Sequence, residues 1–453
     1  MNLPESFTSK MFEYFPEEAE GLIEALNQPK ERACRGIRAN TLKIAPGELA
    51  ALLSPYADLS PVPWCAEGFY CAERERLSKT PFYAAGLFYI QEPSAQAPAA
   101  ALEIRPGEAI LDLCAAPGGK STHLAGKLAG GGLIVANDVS NSRARALLKN
   151  LELAGVKNAA VLNETPARIA ERLPEFFDKI IIDAPCSGEG MFRKEPAARA
   201  AYDGHKSEQM AAAQKEILFY ADKALRPGGR IMYSTCTFSP LENEMIIGDF
   251  LSKRGDYELI PLRPPGFRAA ENMPGLPETA GAARLFPHRA EGEGHFMACL
   301  KKSGEGERAA DSSRPAKIPD IELFYKFAEE NLKITFNESN LAAHKGSVYL
   351  RPAGLPDLSR LRVIREGLYL GDIKKNRFEP SQALAMSLKK AEAARVLDFA
   401  PEDETAARYL RGESFPAEAG DGWALVCVCG FPLGFCKVKA GRAKNKYLKG
   451  WIN

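Results

Sequence analysis

Glu108 to Lys127 read EAILDLCAAPGGKSTHLAGK, and the fold follows from how this stretch is parsed. AILDL is an apolar run of strand length. It stops at CAAPGG, and STHLAGKLAGGG beyond it reads as a helix ended by glycines. A strand, a tight Gly-rich turn and a helix make the first part of a βαβ unit. The pattern continues outward. GLIVAND is a second strand. SNSRARALLKNLELAG is a helix with Ala144, Leu147, Leu148, Leu151 and Ala154 at helical spacing and Gly155 as its C-cap, and AAVLN is a third strand. FFDKIIIDAP, RIMYSTC, YELIPL and HFMACLKK are further strands, and QKEILFYADKALRPGG is a helix with a Gly stop. Strands alternating with helices predict a parallel, doubly wound α/β sheet.

Such a turn lets backbone N–H groups approach a ligand at a helix N-terminus. It is not G-x-G-x-x-G, so a dinucleotide pyrophosphate is disfavoured. The second strand ends in Asp138, whose carboxylate can take the two hydroxyls of a ribose. S-adenosylmethionine (SAM), an adenosyl ligand with no phosphate, suits that combination. Without the acids, the turn would point only to a helix packed on a sheet.

Two cysteines each follow an apolar strand directly, Cys186 in IIIDAPCSGEG and Cys236 in RIMYSTCTFSP. Ligands of open α/β sheets bind beyond the carboxyl ends of the strands, so both thiols belong beside the cofactor pocket. Methylating oxygen or nitrogen needs only a lone pair and a base. Carbon 5 of a pyrimidine is a poor nucleophile until a thiolate adds to carbon 6, so a thiol beside a methyl donor points to covalent catalysis there. A free thiol is mostly protonated at neutral pH, so the site is expected to lower the nucleophile's pKa. Asp183, three residues before Cys186, can serve the nitrogen 3 edge of the ring. On position alone either cysteine could be the nucleophile.

LDLCAAPGGKSTHLA, VANDVS, IIIDAPCSGEGMFRK, LRPGGRIMYSTCT with LENE after it, and RLFPHRAEGEGHFMACLKK together resemble the RsmF/Sun family of SAM-dependent RNA cytosine-5 methyltransferases. YLRPAGL, GLYLGDIKKNRFEPSQALA and PLGFCKVKAGRAKNKYLKG are similar to its RsmF branch, so the resemblance spans nearly the whole chain. It implies a Rossmann-like SAM methyltransferase sheet with a small N-terminal α+β domain, a C-terminal α+β domain and a PUA-like β domain. It implies Cys236 as nucleophile and Cys186 as the residue assisting product release. Cys114, Ala115, Ala116, Pro117, Gly118, Gly119, Lys120, Asp138 and Asp183 match its SAM-contacting positions, and Lys120 also lies near the substrate base. Many members carry an Asp after the third strand, in a GDGR or FDGR pattern. Here the stretch is VLNETPAR, and Asn163 or Thr165 would have to make that contact by a neutral hydrogen bond. The implied substrate is RNA, 16S rRNA or the small ribosomal subunit, with tRNA as an alternative.

The 453 residues carry 59 basic and 58 acidic side chains, a net charge of +1 that excludes a uniformly basic nucleic-acid coat protein. The average conceals an asymmetry. The last 23 residues hold Lys437, Lys439, Arg442, Lys444, Lys446 and Lys449 and no acid, with Tyr447 and Trp451 interleaved. Cations neutralise phosphates and aromatics stack on unpaired bases. Arg35, Arg38 and Lys43 around RANTLK, and Arg193 and Lys194 past Cys186, are further candidate RNA contacts. The domains read as 1–100 N-terminal, 101–302 catalytic, 303–320 linker, 321–392 α+β and 393–453 PUA-like. Ten scattered cysteines form no paired knuckles, so no metal site is expected. With no signal peptide and no spanning segment, a cytoplasmic protein is expected, and nothing demands more than a monomer. A non-catalytic ribosome-assembly factor and an amino-group methyltransferase are the competing readings. The intact thiol pair opposes the first, and DAPC in place of a D/N-P-P-Y/F turn opposes the second.

Overall fold

The computed structural model describes residues 3–72, 74–200, 202–203, 205–269, 276–306, 308 and 318–452. Their strands form four sheets. The first is antiparallel, with β1 (Gly36–Ala39), β2 (Ser60–Val62), β3 (Cys65–Tyr70) and β4 (Phe88–Ile90) in the order β2-β3-β1-β4.

The central sheet holds β5 (Ala109–Asp112), β6 (Leu133–Asn137), β7 (Ala159–Leu162), β8 (Phe177–Asp183), β9 (Leu225–Thr235), β10 (Tyr257–Ile260), β11 (Arg268–Ala269), β12 (Ala283–Leu285) and β13 (His295–Lys302). β7, β6, β5, β8 and β9 are adjacent and parallel. β13 adds antiparallel to β9, and β12 to β13. The connection reverses direction between β5 and β8, the switch point where such sheets open a crevice for ligands. Alternate residues feed two cores. Leu111, Ile180, Ile182, Tyr233 and Phe296 pack on one face, and Ile110, Ile181, Met232 and Met297 on the other. Helices Gly119–Leu128 and Asn141–Ala154 cover the second face, with Leu124, Leu147 and Leu151 inward.

One element differs from its sequence reading. Helix Lys206–Ala224 does not run on to a Gly stop, because Leu225 already begins β9 and pairs with Phe177. Pro227-Gly228-Gly229 instead forms an irregularity inside the strand, with Gly228 at φ +77° and a register shift between Phe177 and Lys179.

The remaining sheets are β14 (Leu341–His344), β15 (Ser347–Leu350), β17 (Leu368–Lys374) and β18 (Arg377–Pro380), then β19 (Val396–Phe399), β20 (Phe415–Pro416), β21 (Gly422–Val428), β22 (Phe431–Lys439) and β23 (Arg442–Asn445). β16 (Val363–Glu366) lies between these in sequence but pairs antiparallel with β7, covering what would otherwise be an open edge of the central sheet. The last sheet also shares a core with the first. Ile37, Phe69 and Phe82 pack in one cluster with Tyr409, Phe415, Val426 and Trp451. Much of the expected linker, at 307 and 309–317, lies outside the described residues. Among the described residues no helix is long and apolar enough to cross a membrane. Although knuckle spacing is absent, the fold gathers Cys65, Glu67 and His123 with their polar atoms within 4.8 Å, and Glu67 and His123 3.4 Å apart.

The most deeply buried ion pair joins Arg284 of β12 to Glu244, which opens helix Glu244–Lys253, with two contacts of 2.6 Å. Replacing Arg284 by Met should cost about 3–5 kcal/mol, because a buried carboxylate loses its partner. A denaturant midpoint measures this, and replacing Glu244 by Leu as well should recover much of the loss.

Candidate active site

The cofactor loop is held by the strand ends beside it. The Asn137 side chain donates to the carbonyls of Leu113 (3.1 Å) and Glu164 (3.0 Å) and accepts from Glu164 N–H (2.8 Å), while Ala115 N–H donates to the Asn137 carbonyl (2.8 Å). One amide thus ties the ends of β5, β6 and β7 together. Arg143 donates to the Ala116 carbonyl (2.9 Å) and Asn150 to that of Pro117 (2.7 Å), fixing the turn on helix Asn141–Ala154. Gly118 enters helix Gly119–Leu128 at φ +113°, a left-handed conformation that favours glycine. Cys114 lies in this loop, and burial pushes its thiol well up, so it stays protonated.

Asp138 is buried at the end of β6, accepting from Ser140 N–H (2.9 Å) and lying 3.4 Å from Arg143. Both candidate substitutes for the missing acid are engaged locally. Asn163 donates to the carbonyls of Asp138 and Val139, both at 2.9 Å, and Thr165 accepts from Arg168 N–H (3.5 Å) as the N-cap of helix Pro166–Arg172. The carboxylate between them, Glu164, accepts from Arg362 N–H (2.8 Å) and lies 3.3 Å from its guanidinium, so it anchors the segment leading into β16.

Asp112 escaped the sequence reading. It ends β5 fully buried, accepts from Ser121 O–H (2.6 Å), and has a second oxygen with no partner. Burial raises its pKa to about 7. Its signal was visible as an acid closing an apolar strand just before the loop. SAM carries an ammonium, a ribose diol and no phosphate. An unpartnered buried carboxylate oxygen at Asp112 and a second carboxylate at Asp138 fit that donor set.

The two thiols meet. Cys186 Sγ and Cys236 Sγ are 3.3 Å apart, just past the ends of the adjacent strands β8 and β9. Their loops are bound to each other. Gly190 N–H donates to the Cys236 carbonyl (2.9 Å), Ser187 N–H to Glu242 (2.9 Å), and Thr237 O–H (2.8 Å) and Phe238 N–H (3.0 Å) to Glu189. A Cβ on Gly190 would come within 2.8 Å of the Cys236 carbonyl oxygen, so glycine is needed for this approach. Glu189 and Glu242, buried carboxylates of the CSGEG and LENE runs, also went unnoticed at the sequence level. The hydrogen bond with Cys236, then burial, push the Cys186 thiol well above its usual range. Either sulfur can donate in this contact, and the raised pKa favours the protonated form of Cys186.

Beside them, Lys120 Nζ lies 2.7 Å from Asp183, which also accepts from Ser234 O–H (3.2 Å). Burial works to raise the Asp183 pKa, but Lys120, with Ser234 behind it, outweighs burial and holds the carboxyl below its ordinary range.

Several expected RNA contacts are corrected. Arg38 is only 2% exposed, donates to Gln91 and to Thr122 (2.8 Å), and so braces the first sheet against helix Gly119–Leu128. Arg193, 7% exposed, forms a fork with Glu293 through two bonds of 2.9 Å. Lys43 donates to the carbonyls of Ala85 (2.7 Å) and Leu153 (3.0 Å), and burial pulls its pKa to about 7. Arg35, which reaches the Ala72 carbonyl (3.4 Å), and Lys194, near Glu92, are by contrast only half-buried and remain candidate contacts. Tyr447 and Trp451 are core residues packed near Tyr409, not stacking surfaces.

The terminal cations are different. Lys437, Lys439, Arg442, Lys444, Lys446 and Lys449 are all exposed. Lys437 faces Lys444 and Lys439 faces Arg442 across β22 and β23, like charges that destabilise a strand pair unless an anion joins them. Trp423 is a half-buried aromatic beside them, with Lys437 5.7 Å and Lys446 5.5 Å from its ring centre.

Four family profiles match the chain in succession. They are the N-terminal domain of 16S rRNA methyltransferase RsmF (3–93), 16S rRNA methyltransferase RsmB/F (99–301), RsmF rRNA methyltransferase first C-terminal domain (326–388) and methyltransferase RsmF PUA domain (396–453). Ribosomal RNA small subunit methyltransferase F of Vibrio vulnificus is 32% identical over 98% of this chain and 96% of its own length. Its counterpart in Klebsiella pneumoniae is 33% identical over 98% and 95%. Among solved structures, a methyltransferase homolog from Pyrococcus horikoshii is 35% identical with a TM-score of 0.59, over 65% of this chain and 94% of that one.

Proposed function

Since the chain belongs to the RsmB/F family of 16S rRNA methyltransferases, in its RsmF branch, we propose that it methylates carbon 5 of an unpaired cytosine in 16S rRNA through a covalent adduct between Cys236 and carbon 6. The observation that carries this reading is the 3.3 Å contact of two thiols at adjacent strand ends, where that contact and burial raise the Cys186 pKa. Neither oxygen nor nitrogen methylation needs such a pair.

Bound SAM supplies an electrophilic methyl group on a sulfonium centre. Asp112, Asp138 and the loop Cys114–Lys120 are the residues that would hold it. The rest is done by the chain. Cys236 adds as thiolate to carbon 6, forming the S–C6 bond, and the C5=C6 electron pair shifts through carbon 4 onto nitrogen 3 and the carbon 2 oxygen. Carbon 5 is then enamine-like and accepts the methyl group. A solvent base then takes the carbon 5 proton, the C–H electron pair restores the C5=C6 bond, and the S–C6 pair leaves with Cys236 as a thiolate. An ionised Asp183 accepts from the exocyclic amine of cytosine, where uracil would present a repelling carbonyl. The cytosine must be unpaired or flipped out to reach this site.

The test is transfer of labelled methyl from SAM to bacterial 16S rRNA, with mass analysis of the nucleosides and bisulfite mapping. 5-Methylcytidine is expected; N4-methylcytidine or a ribose methyl would sink the reading. The basic face of β22 and β23, with Trp423, is the proposed RNA-backbone contact of the PUA domain. Replacing Lys437 and Lys444 by Glu should weaken RNA binding and reduce the salt slope of log Kobs by about 2, leaving SAM affinity unchanged.

A further inference from the structure

His295 opens β13 and is 3% exposed, yet neither ring nitrogen has a well-aligned hydrogen-bond partner, the Gly294 backbone being the neighbour that acts on the ring as an acceptor. Buried polar groups are nearly always bonded, and an exception calls for a missing partner. Register locates it. Phe296 pairs with Thr235, so His295 is one residue beyond, level with Cys236 at the carboxyl edge of the parallel strands. Met297 faces Ser234 and Ser234 faces Asp183, so His295 shares a sheet face with Asp183. The charges acting on the ring are those of Lys120, Asp183 and Glu92. Burial, then Lys120, pull its pKa to about 4, so the imidazole is neutral and offers one N–H.

The Watson–Crick edge of cytosine runs donor, acceptor, acceptor: exocyclic amine, nitrogen 3, carbon 2 carbonyl. The cluster offers the complement: Asp183 as acceptor, Lys120 as donor and His295 as a second donor. We propose that His295 donates to the carbon 2 oxygen of the target cytosine, completing recognition of the base and stabilising the charge that reaches this oxygen as Cys236 adds to carbon 6. The inference rests on the cytosine-5 reading above.

The full-length His295→Phe and His295→Asn variants test it, with RNA carrying either cytidine or 2-thiocytidine at the mapped site. Losing one such donor should lower kcat of the Phe variant by about 10²-fold, with SAM binding by calorimetry unchanged and Asn restoring most of the rate. Wild type should be slowed about tenfold or more by the sulfur substitution, since a thiocarbonyl is the poorer acceptor, and the Phe variant hardly at all. A merely structural role would leave that substrate ratio equal in both proteins and would overturn the proposal, as would a Phe variant with the wild-type rate or without SAM binding. If wild type forms a product other than 5-methylcytidine, it is the cytosine-5 reading that fails. If 5-methylcytidine forms but the ratio is unchanged in the Phe variant, His295 alone is wrongly assigned.

Discussion

Replacing Cys236 by Ala is expected to abolish methyl transfer, by about four orders of magnitude or more, the scale on which removing a covalent nucleophile acts. In the proposed mechanism no S–C6 bond can form without the sulfur, and carbon 5 stays too poor a nucleophile to take a methyl group. SAM binding should be unchanged, because Asp112, Asp138 and the loop from Cys114 to Lys120 do not involve this side chain. Calorimetry and a methyl-transfer assay on the same preparation separate the two effects. Serine should not rescue, since a hydroxyl is far less acidic than a thiol. Full activity in the Ala variant, with activity lost from Cys186→Ala instead, would reverse the assignment of the two sulfurs.

Replacing Cys186 by Ala should trap the enzyme on its RNA. In the proposed mechanism the Cys236 sulfur departs as a thiolate, and the Cys186 sulfur lies 3.3 Å away, with its thiol pKa raised by that contact and by burial. A donor there stabilises the leaving sulfur. Without it, addition and methylation still proceed but expulsion slows, so turnover should fall to about one methyl group per enzyme. A slow band on denaturing gels that needs both SAM and RNA is the expected readout. Multiple turnover at the wild-type rate with no such band would count against the release role.

The site was legible where chemistry is written locally. A strand, a Gly-rich turn and a helix marked the candidate cofactor loop, and two cysteines directly after apolar strands marked the pair that the fold brings into contact. Charge was less legible. Arg193 looked like a phosphate ligand beside Cys186, but Glu293, 100 residues away, takes its guanidinium. Arg38 lay in a basic run, yet Gln91 and Thr122 receive it inside an interface. Tyr447 and Trp451 were interleaved with lysines as stacking aromatics should be, but both are buried in the core that the first and last sheets share. Asp112, Glu189, Glu242 and His295 gave only a faint local signal or none, because their roles come from neighbours on other strands.

The sequence by itself determined the doubly wound sheet, the loop suited to SAM and the presence of two candidate thiols. Each depends on periodicity and turn chemistry within a few residues, which a linear string carries. Only the tertiary structure decided that the two sulfurs touch, which cations are buried and which exposed, that β16 closes the edge of the central sheet, and that the first and last sheets share one core. Those outcomes are set by burial and by partners distant along the chain, and a side chain's charge or aromaticity acquires its role only once such neighbours surround it.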